Sequence, residues 1–378
     1  MENTIKKDNI ILRILSIIKK GLTNPTFLYI VRRILSSLIT LLLLVALIKT
    51  LISFLPDDMF YDLSQYNTLK GKYGKILADN YVKTELFKCG RVDINGKRIP
   101  LLKSIVNYIY QILPFYKKIP VTWNNRYTQV IKYWEGLTYL GKNKNNEEIA
   151  KLLTERMGIS FKVTMISIAI TYAISYPFGI AMAKKPGGIV DKIGNIFIVL
   201  NYAIPALVFY LFMQRILGDK DGIFGWAKFG LMYDITDPKF RSLIPPILCM
   251  SFLSIPGVII YLRRFMVDEL NSDYVKFARS KGLSETKIMY THVLRNAIVP
   301  LVRNIPATFI GAIVGSYFVE KIWRIPGTGS LLTDGLSQLD VNTIQGLSLV
   351  YAALGMLSFL LGDIITVFFD PRIKLRVD

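Results

Sequence analysis

The feature that most constrains this chain is a series of apolar runs, each about 20 residues long, set between basic segments. A helix of that length matches the hydrocarbon core of a bilayer. A segment in lipid must satisfy its own backbone N–H and C=O groups, so helix is the physical choice. The runs predict six spans, at 34–55, 160–183, 193–217, 242–262, 298–320 and 345–368. Mean hydropathy is +0.38 over 378 residues, which a soluble domain rarely reaches because it must keep a charged surface. The expected fold is an all-α polytopic membrane protein. Pro177, Pro205, Pro245, Pro246, Pro256 and Pro306 lie in or beside the spans, tolerable where neighbouring helices satisfy the freed carbonyls.

Orientation follows from Lys and Arg in the short connections. With the N-terminus inside, the inner segments 1–33, 184–192, 263–297 and 369–378 carry 20 of them, against 6 in the outer loops 218–241 and 321–344. That bias places both termini in the cytoplasm. The net charge of +20 is explained in the same way, by loops beside spans that meet anionic membrane lipid, and nucleic acid is not an expected partner. The run from Ile34 to Leu55 is longer than a signal-peptide core and is followed by Pro56-Asp57-Asp58, so it reads as a retained first span. Ile10 to Ile18 reads either as a short interfacial helix or as a tail.

The chain divides into a basic cytoplasmic segment (1–33), a first span (34–55), an outer loop (56–159), a core of five spans (160–368) carrying the cytoplasmic segment 263–297, and a tail (369–378). The outer loop holds Trp123, Trp134 and many tyrosines, too aromatic for a linker, and predicts a small folded extracellular module. Its last part, Asn145–Met157, predicts a helix capped by Asn145 or Asn146, with Glu147 and Glu148 at its positive end and Arg156 at its negative end. Gly158 is expected to turn the chain into the second span.

Chemistry of its own is not expected. There is no GxxxxGK[ST] loop for ATP, no HExxH and no GxSxG. One histidine, His292, leaves little room for a metal site, and Cys89 and Cys249 lie in dissimilar surroundings that argue against a disulfide. Charges inside the apolar runs are few: Lys49, Lys162, Arg215 and Arg303 near span ends, where snorkelling accounts for them, and Asp363 deeper, as either a functional group or a paired one.

Attention therefore falls on Asp273–Pro300, a polar, basic stretch between apolar runs. Tyr274–Lys281 predicts a helix with Phe277 and Ala278 facing inward. Gly282 permits a turn that a Cβ would hinder. Ser284 is a good N-cap for a second helix through Tyr290, with Glu285 in its first turn. That helix is expected to expose Ile288, Met289 and Tyr290, an edge suited to a groove on a partner, or simply to be an amphipathic connector.

This stretch resembles the cytoplasmic loop of ABC-importer permeases, and within them the oligopeptide/dipeptide branch, whose loop reads DYVxxARAKGLSxxxIxxxHxLRNAxxP. The matches are Asp273, Tyr274, Val275, Ala278, Arg279, Lys281, Gly282, Leu283, Ser284, His292, Leu294, Arg295, Asn296, Ala297 and Pro300; Ser280 replaces Ala. Glu320–Gly329, EKIWRIPGTG, is similar to the family's ExxFxxPGxG, with Trp323 where Phe is commoner. Asp363 and Asp370-Pro371-Arg372 resemble its membrane Asp and DPR ending, and Ile174–Ala183 its second span. The resemblance covers about 145–378 and the first span, but not 56–144. Leu294-Arg295-Asn296 favours the first of two permease subunits.

The resemblance implies a six-helix, type I importer permease with an extracellular insert between helices 1 and 2, acting without an ATPase site of its own. It implies a second, homologous permease, two ABC ATPase subunits that hold ATP and Mg, and an extracellular binding protein that delivers peptide. Residues 284–290, with Ile288, Met289 and Tyr290, would take the push of the ATPases; Gly282 would set the helix angle; His292 and Arg295 would brace the loop. Glu320, Pro326, Gly327, Gly329, Asp363, Asp370 and Arg372 would be gate or structural residues. A nickel or other small-solute permease of the same architecture, and a channel or scaffold working alone, remain open at this point.

Overall fold

A computed structural model of the chain describes residues 25–93, 95–113, 117–123, 129–134, 140–145, 147–227, 229–236 and 240–369. The expected interfacial helix at Ile10–Ile18 and the tail residues Asp370 and Arg372 lie outside them. The first helix, α1 (Pro25–Ser53), is followed by α2 (Leu63–Tyr73), α3 (Lys75–Lys88) and α4 (Leu101–Ile112). An antiparallel hairpin, β1 (Lys117–Trp123) with β2 (Gln129–Trp134), comes next; its register slips between Pro120 and Thr122. The remaining described helices are α5 (Ile149–Lys184), α6 (Ile189–Ala203), α7 (Ala206–Gly218), α8 (Ile244–Leu270), α9 (Asp273–Ser280), α10 (Glu285–Lys287), α11 (Leu294–Ala297), α12 (Val299–Val302), α13 (Ile305–Val314), α14 (Tyr317–Ile322), α15 (Thr328–Ser337) and α16 (Val341–Phe369). Five segments are long and apolar enough to cross a bilayer: Ile30–Ser53, Ile149–Lys184, Arg241–Leu270, Val299–Ile322 and Val341–Thr366.

The sixth expected span, 193–217, is not one straight helix. Helices α6 and α7 meet at 94° and make a sixth crossing only if taken together. The cause is Pro205: the residue before a proline is pushed out of the helical region, and Ile204 sits at φ −90°, ψ 121°. The second span differs too. Gly158 does not turn the chain; α5 runs unbroken through it for 36 residues. Its N-cap is Glu148 with no side-chain cap bond, not Asn145 or Asn146. Instead Glu147 is tied to Asn143, whose side chain accepts from the Glu147 N–H and donates to its carboxylate, both at 2.8 Å. Arg156 pairs with Asp334 at 3.6 Å rather than serving the helix end.

The core is the α5–α8 pair, the most extensive helix contact. Along α5, Val163, Ser167, Thr171, Ser175, Gly179 and Ala183 recur every four residues and are all buried. Small residues at that spacing let two backbones approach closely. The hydroxyls then bond across or back: Ser167 and Ser251 meet at 3.1 Å, Ser251 also donates to the Ile247 carbonyl at 2.7 Å, and Ser175 donates to the Ile255 carbonyl at 3.3 Å. A Cβ on Gly179 would stand 3.2 Å from Leu262 Cδ2, so the seam is filled there as well.

Pro256 lies inside α8. A proline cannot donate to the carbonyl four residues back, which here is that of Phe252. The side-chain amide of Asn201 on α6 donates to that oxygen at 3.1 Å. A neighbouring helix thus rescues the freed carbonyl. Asn201→Leu should leave it unpaired and lower stability by about 1–2 kcal/mol, read as a lower thermal midpoint of the detergent-purified chain.

Candidate functional site

At one end of the α5–α8 pair the chain folds back as α9, a turn, and α10. The turn is built by local chemistry. Gly282 has φ +76°, its N–H bonds the Arg279 carbonyl at 2.9 Å, and the Leu283 N–H reaches the Ala278 carbonyl at 3.3 Å. These are the two bonds of a glycine-terminated helix end. Ser284 caps the next helix, its side chain accepting from the Lys287 N–H at 3.4 Å. Arg279 spans the turn and grips Glu285 with two bonds, 2.8 and 3.2 Å, which holds the Glu285 carboxyl below the usual carboxylate range. Both expected devices, the glycine turn and the serine cap, are present.

The faces of the loop differ from expectation. Ile288 and Met289 are buried, not exposed, and only Tyr290 of the three faces outward, at 56% exposure. Phe277 is 61% exposed rather than inward, while Ala278 and Val275 are buried. Residues Ile288–Val293 form a π-helical turn. Its wider winding puts Ile288, Met289 and Val293 together on the inner side. With Val275, Ala278 and Ala297 they pack on Ile180 and Ala183 of α5 and on Leu262 and Met266 of α8. Each fully buried aliphatic chain here contributes about 1.5–3 kcal/mol. What remains outside is Phe277 with the Lys281 ammonium 4.4 Å from its ring centre, Tyr290, and the Arg279–Glu285 pair.

The loop is fastened to the bundle at one further point, and α8 is fastened to α6 beside it. Tyr274 donates to Glu269 at the end of α8, at 2.6 Å, and burial pushes its phenol up to about 12. Before it, Arg263 of α8 holds the buried Asp191 at the start of α6 with bonds of 2.5 and 2.8 Å, and Asp191 also accepts from the Gly187 N–H. Sequence reasoning missed this pair; the only hint was a lone acid among Lys184, Lys185 and Lys192. His292 is half-buried, while Arg295 and Asn296 are on the surface.

The other motif residues lie far from the loop. Glu320 is bonded to Ser160, 23 residues along α5 from Ala183, which is about 34 Å of helix. Its carboxylate is enclosed. Oε1 accepts from Ser160 Oγ at 2.7 Å and from the Ser316 N–H at 3.2 Å; Oε2 accepts from the Ser330 N–H at 2.9 Å. The glycines make the space: a Cβ on Gly327 would lie 2.3 Å from Oε2, and one on Gly329 3.0 Å from the same atom. Pro326 is exposed beside them. Trp323 is wholly buried, edge-on to Tyr210, and its indole N–H has no hydrogen-bond partner among the described residues. Asp363 is paired: Arg303 donates to it at 2.8 Å and Arg33 of α1 lies at 3.3 Å. Glu320 and Asp363 therefore tie helices together, while the segment 273–297 keeps Phe277 and Tyr290 exposed.

The described residues form a polytopic helical bundle with a braced loop at one end. Residues 175–375 match the family described as the binding-protein-dependent transport system inner membrane component, more than half of the chain, and the chain belongs to that family. It is 33% identical over 226 residues to the oligopeptide transport system permease protein AmiC of Streptococcus pneumoniae, covering 58% of this chain and 43% of AmiC. It is 29% identical to the dipeptide transport system permease protein DppB of Lactococcus lactis, over 61% of this chain and 73% of DppB. It is 30% identical to the oligopeptide transport system permease protein AppB of Bacillus subtilis, over 60% of this chain and 72% of AppB. The chain thus spans less than half the length of AmiC.

Two tests follow from the geometry. Gly282→Ala meets no atom within 4 Å, so its cost is backbone strain alone, about 1–2 kcal/mol, with Gly282→Asn costing less. Glu320→Ala should orphan the Ser316 and Ser330 N–H groups at roughly 1–3 kcal/mol each. Gly327→Ala, which drives a methyl into the carboxylate, should be at least as damaging. Thermal unfolding of the four purified variants ranks them.

Proposed function

We propose that this chain is the membrane permease subunit of an ATP-driven importer of peptides, with oligopeptides or dipeptides as cargo. ATP and Mg belong to two partner ATPase subunits, a second homologous permease completes the pore, and an extracellular binding protein delivers the peptide. The observation that carries this reading is the packing of the 273–297 loop. Its inner side is locked on α5 and α8 together, through Ile288, Met289 and Val293. Its outer side offers two exposed aromatic rings and a basic rim. An aromatic and basic edge on a short helix suits a groove on a partner. A displacement of that edge would be handed to two membrane helices joined along their length, rather than absorbed by a slack connector. Transport is then a two-state equilibrium of the bundle, biased by the ATPases at this loop and by the loaded binding protein at the far end. The names of the matched relatives support peptide cargo. Insertion in the bacterial cell membrane with both termini in the cytoplasm puts the loop on the ATPase side.

Proline at 282 cannot take φ +76°. Gly282→Pro should therefore abolish ATP-dependent uptake of labelled peptide in proteoliposomes holding the assembled complex, while the subunit still inserts. Wild-type uptake by that variant would refute the role of the loop. Full loss with Tyr290→Ala and Phe277→Ala together, at unchanged stability, would locate the contact.

A further inference from the structure

Helix α4 sits in a place the transport cycle does not explain. Its residues fall on three faces. Tyr108, Ile109 and Ile112 pack into a cluster with Leu41 and Val45 of α1. Lys103, Asn107 and Gln111 recur every four residues as a polar face. Leu102, Val106 and Tyr110 also recur every four residues and are 76%, 56% and 51% exposed. A bare apolar stripe on a helix in water is costly, at about 25 cal/mol for each Å² of apolar surface.

The depth of α4 is set by α1. The span of α1 ends at Ser53. Val45 and Leu41 lie 8 and 12 residues before that end, about 12 and 18 Å along the helix. A helix whose Ile109 and Ile112 join Val45 and Leu41 is therefore at the level of the hydrocarbon. At 12 residues, about 18 Å, it is too short to cross. α1 itself carries exposed apolar residues over the same length, Leu42, Leu43 and Leu47. Charge agrees with this placement. The only charged residue of α4 is Lys103, in its first turn, at the end nearer Ser53, where its ammonium reaches the headgroups. Lys49, buried within the apolar run of α1, lies 4.7 Å from the centre of the Tyr108 ring, so α4 shelters that charge.

We propose that α4 is a membrane-inserted, non-spanning helix. It enters the leaflet opposite the 273–297 loop beside α1 and presents Leu102, Val106 and Tyr110 to phospholipid acyl chains. Its partner is the lipid bilayer, not a protein. The inference rests on α1 as a membrane span and is independent of the cargo.

The test uses the full chain in phosphatidylcholine/phosphatidylglycerol vesicles. Single tryptophans are added at Val106→Trp, at Leu43→Trp as a lipid-facing reference on α1, and at Ile76→Trp, a 78% exposed position on α3, as a water-facing reference. The fluorescence of each is taken as the difference from the unsubstituted chain. Lipids brominated along the acyl chain should quench Val106→Trp several-fold more than Ile76→Trp and to the same extent as Leu43→Trp. Acrylamide in the water should quench it several-fold less than Ile76→Trp. Acrylamide quenching of Val106→Trp equal to that of Ile76→Trp, with no effect of bromolipid, would overturn the proposal. Hydrogen exchange of the unsubstituted chain gives a second reading: peptides covering 101–112 should be protected in vesicles as strongly as those of α1, and rapid exchange there would equally overturn it.

Discussion

The small-residue seam between α5 and α8 is the interaction on which the rest of the molecule depends. In lipid there is no hydrophobic force to join two apolar helices, so close backbone approach and hydroxyl bonds must do it. Ser167, Thr171, Ser175 and Gly179 supply both, meeting Ser251, Ile255 and Leu262 on the other side. Every functional feature is attached to this pair. The 273–297 loop closes over one end of it through Ala183, Leu262 and Met266. The Glu320 cradle fastens the other end through Ser160. Asn201 ties α6 to α8 at its proline, and the Asp191–Arg263 pair ties them again near the loop.

Seen this way, the buried acids have structural work of different kinds. Glu320 is held by two backbone N–H groups and a serine, with no cation among the partners described, so its charge is met by dipoles that a rigid glycine-rich turn aims at it. Asp191 and Asp363 are met by arginines, which suit carboxylates because the guanidinium is a planar fork. Removing one partner from such a site leaves an uncompensated group.

Much of this was legible beforehand. The apolar runs announced the spans. The glycine turn at 282 and the serine cap at 284 were readable because each is settled within four residues, by φ and by the nearest N–H groups. The rescue of a proline-freed carbonyl was foreseeable in kind, although not that Asn201 would provide it. The facing of the loop was not legible. The π-helical turn carries Ile288, Met289 and Val293 on the side packed against α5 and α8, a contact that no local pattern specifies. The break at Ile204–Pro205 was signalled by its proline, but prolines at 177 and 256 sit inside unbroken helices, so the residue type alone does not separate a bend from a continuation.

The sequence by itself determined that this chain is a bundle of membrane helices with a basic loop shaped by Gly282 and Ser284, because hydropathy, charge bias and capping act over one helix or less. Only the tertiary structure decided which side of that loop meets the bundle, that Glu320 is closed in by Ser160, Gly327 and Gly329, and that α4 packs along α1. Those outcomes depend on partners that are tens to hundreds of residues apart in the chain. Their energies come from surfaces that exist only once the helices have packed.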